Sequence, residues 1–186
     1  MREQIEAFIT QFPIYQYAFL SPDELEFSDR VRVLCKQECS HYRDSWSCPP
    51  AVGKLPACKA RCLSFTDGLF FSSVTNVRNP DDEKSILKCK RDHEKLTQIV
   101  ENRIRKLGAE VFTLTGDCCF VCDKCGFPKE KCQHPDLMHP CIESHGILTA
   151  NLIESCSMDA YLGEHLIMGF TLILYRPKTH ETFRES

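Results

Sequence analysis

Residues 116–141 read GDCCFVCDKCGFPKEKCQHPDLMHPC and hold six of the thirteen cysteines of the chain. Cys119, Cys122 and Cys125 repeat at a spacing of three. A Cys-x-x-Cys step lets the backbone turn tightly, so two thiolates fall on one side with amide N–H groups near the sulfurs. Repeating the step wraps three thiolates around a body larger than one ion. A tetrahedral zinc site usually takes two ligands from one such knuckle and two from another farther along. A cubane iron–sulfur cluster accepts three from one loop and a fourth from elsewhere.

Cys132, in a Cys-x-x-Pro context ending at Pro135, offers that fourth ligand. The run is similar to the ferredoxin series of cysteines, stretched by three residues before the last one and with the proline displaced by two. In two-cluster ferredoxins the fourth cysteine serves the other cluster, so the partner of Cys132 stays open. Iron–sulfur, zinc and a disulfide framework are the three readings, and ligand spacing favours them in that order. The four cysteines Cys119, Cys122, Cys125 and Cys132 are grouped as one site because the loop is local and costs little closure entropy.

Working outward from this loop, residues 110–114 form a strand that leads into it. Residues 83–107 form the longest helix, ended by Gly108. Its apolar stripe is Ile86, Cys89, Leu96, Val100, Ile104 and Leu107, with slack at His93. Lys84, Lys88, Lys90, Arg91 and Lys95 make its first half basic, read as a solvated outer face in preference to a docking patch for an acidic partner. Residues 69–74 and 14–20 are strands, and residues 2–12 hold a short amphipathic helix on Ile5, Phe8 and Ile9. On the other side, residues 142–153 are expected to be helical despite Gly146, residues 166–175 form a hydrophobic final strand, and the tail from Pro177 is expected to fray. This order predicts an α+β (or α/β) fold: a two-layer sandwich of a small mixed sheet with helices, with cysteine-rich loops at one edge.

A chain of 186 residues suits a single domain spanning 1–186, with metal-binding loops at 35–62 and 116–141. A net charge of −3 and a pI near 6.2 give no pull toward nucleic acid or an anionic membrane. The first residues contain no apolar run suited to a signal peptide, and no stretch of about 18 apolar residues occurs. The expected location is the cytoplasm. There, an odd and dense set of thiols points to metal binding instead of disulfides.

The second cysteine block, VLCKQECSHYRDSWSCPPAVGKLPACKARC, contains Cys35, Cys39, Cys48, Cys58 and Cys62. The pairs Cys35/Cys39 and Cys58/Cys62 stand at i and i+4, which on a helix would share one face. Cys48 is followed by two prolines, which fix the loop and remove a backbone donor. Cys35, Cys39 and Cys48 are taken as a second metal site of three certain thiolates, either left open or closed by Cys58 or Cys62. His41 reads as a surface residue, and Trp46 as a shield for the site.

Taken together, Cys35-x3-Cys39, Trp46-x-Cys48-Pro49-Pro50, Cys119-x2-Cys122-x2-Cys125 with Cys132-x2-Pro135, and the run from Pro140 to Ile147 resemble a family of small prokaryotic proteins known as a predicted metal-binding family of unknown function. The resemblance covers roughly residues 30–175 and implies a metal, with an iron–sulfur cluster first; it implies no substrate. The family pattern tends to have a small residue and a methionine before the glutamate, where this chain has Cys141 and Ile142. Cys58, Cys62, Cys89, Cys118 and Cys156 lie outside the shared motifs, and Cys89 and Cys156 are read as buried thiols.

No Walker loop, dinucleotide fingerprint, nucleophile elbow or radical S-adenosylmethionine Cys-x3-Cys-x2-Cys run occurs. His134, His139 and His145 surround the third block in supporting or surface roles, and Glu143 opens a helix or reaches an open iron as ligand or proton shuttle. The sequence thus supports an iron–sulfur protein with one or two 4Fe-4S clusters. It would serve electron transfer or small-molecule redox chemistry with a redox partner protein or a small-molecule substrate. The alternative is a module stapled by zinc.

Overall fold

The runs Leu69-Phe70-Phe71 and 172–175 lack polar alternation, so both strands need cover on two faces. In the computed structural model, which describes residues 1–178, they pair at the centre of a four-stranded sheet. In chain order the elements are α1 (Arg2–Ile9), β1 (Gln16–Leu20), α2 (Asp29–Glu38), α3 (Leu55–Leu63), β2 (Asp67–Asn76), α4 (Glu83–Lys106), β3 (Ala109–Thr115), α5 (Thr149–Ser155) and β4 (Leu166–Pro177). Two short 3-10 turns lie at Pro22–Glu24 and Glu143–His145. The sheet order is β1-β2-β4-β3, and every neighbouring pair is antiparallel. β2 and β3 therefore run the same way, joined by α4, with β4 between them and opposed to both.

The α+β class is the one expected, and two details differ. The sheet is antiparallel throughout where a mixed one was expected, because the last strand enters between β2 and β3 instead of adding to an edge. Cover also comes on both faces. Leu69, Phe71, Val111, Ile173 and Tyr175 meet α1 and α4 through Ile5, Phe8, Ile9, Leu96, Val100 and Ile104. Phe70, Phe112, Leu114, Leu172 and Leu174 meet Cys62, Ile142, Ile147, Leu152 and Ile153 on the opposite side.

Helix α4 begins at Asp82, whose side chain accepts from the Lys84 N–H, and is followed by Gly108 at φ +85°, a conformation that favours glycine. The slack in its stripe has a cause. His93 faces the sheet, with Nδ1 2.7 Å from Ser73 Oγ and Nε2 2.9 Å from Thr171 Oγ1, and Thr171 in turn lies 2.7 Å from Thr97 Oγ1. Gly169 leaves room for the ring, because a Cβ there would lie 2.6 Å from His93 Nδ1. Gly169→Ala is expected to cost about 1–3 kcal/mol of unfolding free energy by overpacking, readable as a lower denaturant midpoint; an unchanged midpoint would contradict the close approach.

The helix expected over residues 142–153 is broken in two. Gly146 sits at φ +75° with Leu55 packed where a side chain would be, and only Glu143–His145 and Thr149–Ser155 are helical. Pro177 ends β4, the Lys178 N–H donates to Gly108 O at 2.9 Å, and the rest of the tail expected to fray lies outside the described residues. No described helix is long and apolar enough to cross a membrane.

Candidate metal centre

The loop from Gly116 to Cys141 leaves β3 and returns beside it. Thr115 N–H donates to Pro140 O at 3.0 Å, Ile142 N–H to Thr115 O at 2.8 Å, and Gly116 N–H to Phe170 O at 2.8 Å. Its interior is tied down on α4. Lys90 pairs with Asp117 at 2.6 Å, and Arg91 reaches Asp123 at 2.5 Å and Phe120 O at 3.3 Å. His139 lies buried between Glu94, 2.5 Å from Nδ1, and Glu101, 2.6 Å from Nε2, and Arg105 pairs with Glu101. Lys90 and Arg91 therefore meet the cysteine loop from a partly exposed position, while Lys88 and Lys95 flank Asp92 on the exposed side.

Held this way, the loop brings Cys119, Cys122, Cys125 and Cys132 to the wall of one small cavity, with Ser45, Trp46, Val121, His134 and Met138. Trp46 meets Phe127 edge-on at 5.0 Å between ring centroids and donates from Nε1 to Glu130 O at 3.1 Å, so the indole closes one side. Among the described residues, no group of three or more His, Cys, Asp or Glu side chains is gathered tightly enough to hold one metal ion.

A second, larger cavity of about 510 Å³ is lined by Cys35, Cys39 and Cys48 together with Cys118 and Cys141. Cys35 lies in the last turn of α2. Cys39 caps that helix in an extended conformation, so the pair shares a cavity without sharing a helical face. Cys58 and Cys62 do share α3, but neither lines this cavity. Cys62 is in the apolar core, and Cys58 accepts from Arg32 Nη2 at 3.3 Å and donates to Val52 O at 3.4 Å. Of the two readings of the second site, left open or closed by Cys58 or Cys62, this packing lends the second no support.

The two cavities share a wall. Ser45 and Trp46 line the first while Cys48 and Pro49 line the second, and the adjacent residues Cys119 and Cys118 divide in the same way. Between them, Ser47 Oγ accepts from the Cys119 N–H at 2.9 Å and lies 3.6 Å from Cys48 Sγ. Burial pushes the Cys48 and Cys119 thiols up to about 11 and the Cys118 thiol to about 12. Cys141 is also raised well above the ordinary thiol value, by burial and then by the Glu143 carboxylate, to whose Oε2 its Sγ donates at 2.7 Å. Such a donor set, soft and ranging from buried Cys48 and Cys118 to half-buried Cys119 and Cys141, suits a thiophilic metal centre.

Spacing in sequence did not single out Cys118, Cys141 or the Glu94–His139–Glu101 latch. The available signals were two: adjacent Cys118 and Cys119, which must point different ways, and a Cys141 that departs from the motif pattern. His145 is buried against Phe112, and burial pushes it down to about 4, which makes it a core residue. His41 meets Phe120 edge-on.

The sequence pattern of a family described as "Predicted metal-binding protein (DUF2284)" matches residues 18–175. No curated protein and no solved structure matches the chain.

Proposed function

Since the chain belongs to that family of predicted metal-binding proteins, we propose that it is a cytoplasmic iron–sulfur protein. It carries two cubane clusters and transfers electrons to a redox partner or performs a small redox step. The observation that carries this reading is the pair of adjoining cavities, each lined by at least four cysteines. In the first, Cys119, Cys122, Cys125 and Cys132 would hold a cluster; in the second, Cys35, Cys39 and Cys48 would do so. Four thiols lining one cavity, three of them from a run repeating at a spacing of three, fit the ligand pattern of a multinuclear body. Clusters held in this way exchange single electrons at potentials set by hydrogen bonds to sulfur, burial and net charge.

The chain's own residues would tune and connect the two sites. Ser47 offers a hydrogen-bonded route from the Cys119 amide to the Cys48 sulfur, alongside the Cys118–Cys119 peptide link. Trp46 and Phe127 keep water from the first group. Anaerobic purification with iron and sulfide analysis tests the reading. A brown protein with broad absorption near about 400 nm and several irons per chain is expected. A colourless protein with stoichiometric zinc and no redox titration would overturn it in favour of a zinc-stapled module.

Protons give an independent check. Thiols raised by burial are protonated at neutral pH, so each one that becomes a ligand has to release its proton. Loading the apoprotein in weakly buffered solution is expected to release about one proton per ligating cysteine over and above the protons hydrogen sulfide loses in becoming bridging sulfide, and loading should weaken steeply as the pH falls. Proton release no greater than the incorporated sulfide accounts for would mean that these thiols are not the ligands.

A further inference from the structure

The second cavity holds five cysteines, and sequence motifs account for three of them. Cys118 and Cys141 are the remaining two, and both line the cavity together with Cys48. Cys141 sits on the more rigid backbone. Its N–H donates to Ser47 O at 3.2 Å, which places it beside Cys48, and it bridges to Thr115 at the end of β3. A ligand for a preformed site is best held on such a fixed element. Its neighbour in space, Glu143, is already committed: Oε1 accepts from Thr149 Oγ1 at 2.6 Å and Oε2 from Cys141 Sγ at 2.7 Å. The carboxylate lines the same cavity with both oxygens engaged, one of them by the Cys141 thiol.

We propose that Cys141 is the fourth thiolate of the second cluster, which is thereby closed by cysteine and not left open to a small ligand. The inference rests on the iron–sulfur reading above. Ligation replaces the Cys141 S–H bond by an S–Fe bond, the proton passes to the Glu143 carboxylate and on to solvent, and no electron moves. Cys118 lies in the same cavity as a bystander, because its chain neighbour Cys119 commits that stretch of loop to the first group. With every iron position filled by thiolate, both sites would carry electrons and neither would act as a Lewis acid.

The test compares wild type, C141S, C141A and C118S after anaerobic reconstitution with ferrous iron and sulfide. Wild type is expected to keep its iron on mild oxidation and to show no spectral change with cyanide. C141S and C141A are expected to lose about one iron per chain on the same treatment, to develop the signal of a three-iron cluster, and to respond to cyanide. C118S should behave as wild type. Contact-shifted cysteine β-protons of the wild type report the ligand set without any substitution and should include those of Cys141. Iron-loaded C141S and C141A indistinguishable from wild type, or the same loss in C118S instead, would overturn the inference alone. A wild type that binds no iron would bring down the parent reading and this inference with it.

Discussion

Replacing Cys122 by alanine is expected to remove one whole cluster and so to lower the iron bound per chain by about half. The expectation follows from the way the first cavity is built. Cys119, Cys122, Cys125 and Cys132 come from one stretch of fourteen residues, counting both ends, so the loop they close is short and nothing distant substitutes for a missing member. The other thiols near this wall, Cys118 and Cys48, line the second cavity and not this one. His134 and Met138 also line the first cavity, but a single imidazole or thioether is a poor replacement for a thiolate against a soft cluster. The iron that remains should keep the spectrum of the second site, because Ser45, Ser47 and Cys48 are held by hydrogen bonds that do not involve Cys122. Iron and sulfide analysis of C122A beside C156A, which alters a thiol packed at the edge of the core, gives the reading. Unchanged iron in C122A would mean that the four cysteines do not form one site.

That Cys119, Cys122, Cys125 and Cys132 line one cavity was legible because all four residues lie in one loop, where spacing alone constrains geometry. The second group was only half legible, because its members come from α2, the loop after it, the start of the cysteine loop and the return to β3. No spacing rule joins Cys35 to Cys141; they meet because the Thr115 bridge folds residue 141 back against residue 47. Strands and the long helix α4 could be read from periodicity and caps, but the strand order could not. The entry of β4 between β2 and β3 depends on which apolar strand has two faces to cover, and Phe70 and Leu172 announce that only in pairs. α2 was invisible for a different reason: Val31 is its one fully buried residue, while Val33 and Leu34 stay about half exposed, so no apolar stripe marks it.

The basic half of α4 shows how a bland reading fails. A run of lysines and arginines on a helix is usually a solvated face, and Lys88 fits that. Lys90 and Arg91 instead meet Asp117 and Asp123 of the cysteine loop. Such partly exposed pairs are each worth roughly 0–1 kcal/mol, so they orient the loop without anchoring it strongly. The strong anchor has to be buried.

That anchor is His139, and substituting it is expected to have the largest effect on stability of any single change in the loop. Removing the imidazole in His139→Ala leaves Glu94 and Glu101 buried without their shared partner, and breaking a buried charge pair in this way costs about 3–5 kcal/mol. Arg105 still reaches Glu101, which points to the lower end of that range. The pH dependence distinguishes an ion latch from plain packing. Burial pushes His139 down, but hydrogen bonds and charge from Glu101 and Glu94 outweigh it and raise the imidazolium to about 9. A folded value above the unfolded one means that this stabilisation is complete below the ordinary histidine value of 6.5 and fades as the pH rises through about 9. Glu101 runs the other way. Burial pushes it up, but His139 and Arg105 outweigh burial and hold it below the ordinary carboxylate value, so its share is lost in acid. The gap between wild type and H139A, measured by urea unfolding of the apoprotein, should therefore be widest between the carboxylate and histidine ranges and narrow above about pH 9. A gap below about 1 kcal/mol at pH 6, or one that stays constant into alkali, would show that His139 only fills space; the net contribution of an ordinary hydrogen bond is no larger than that.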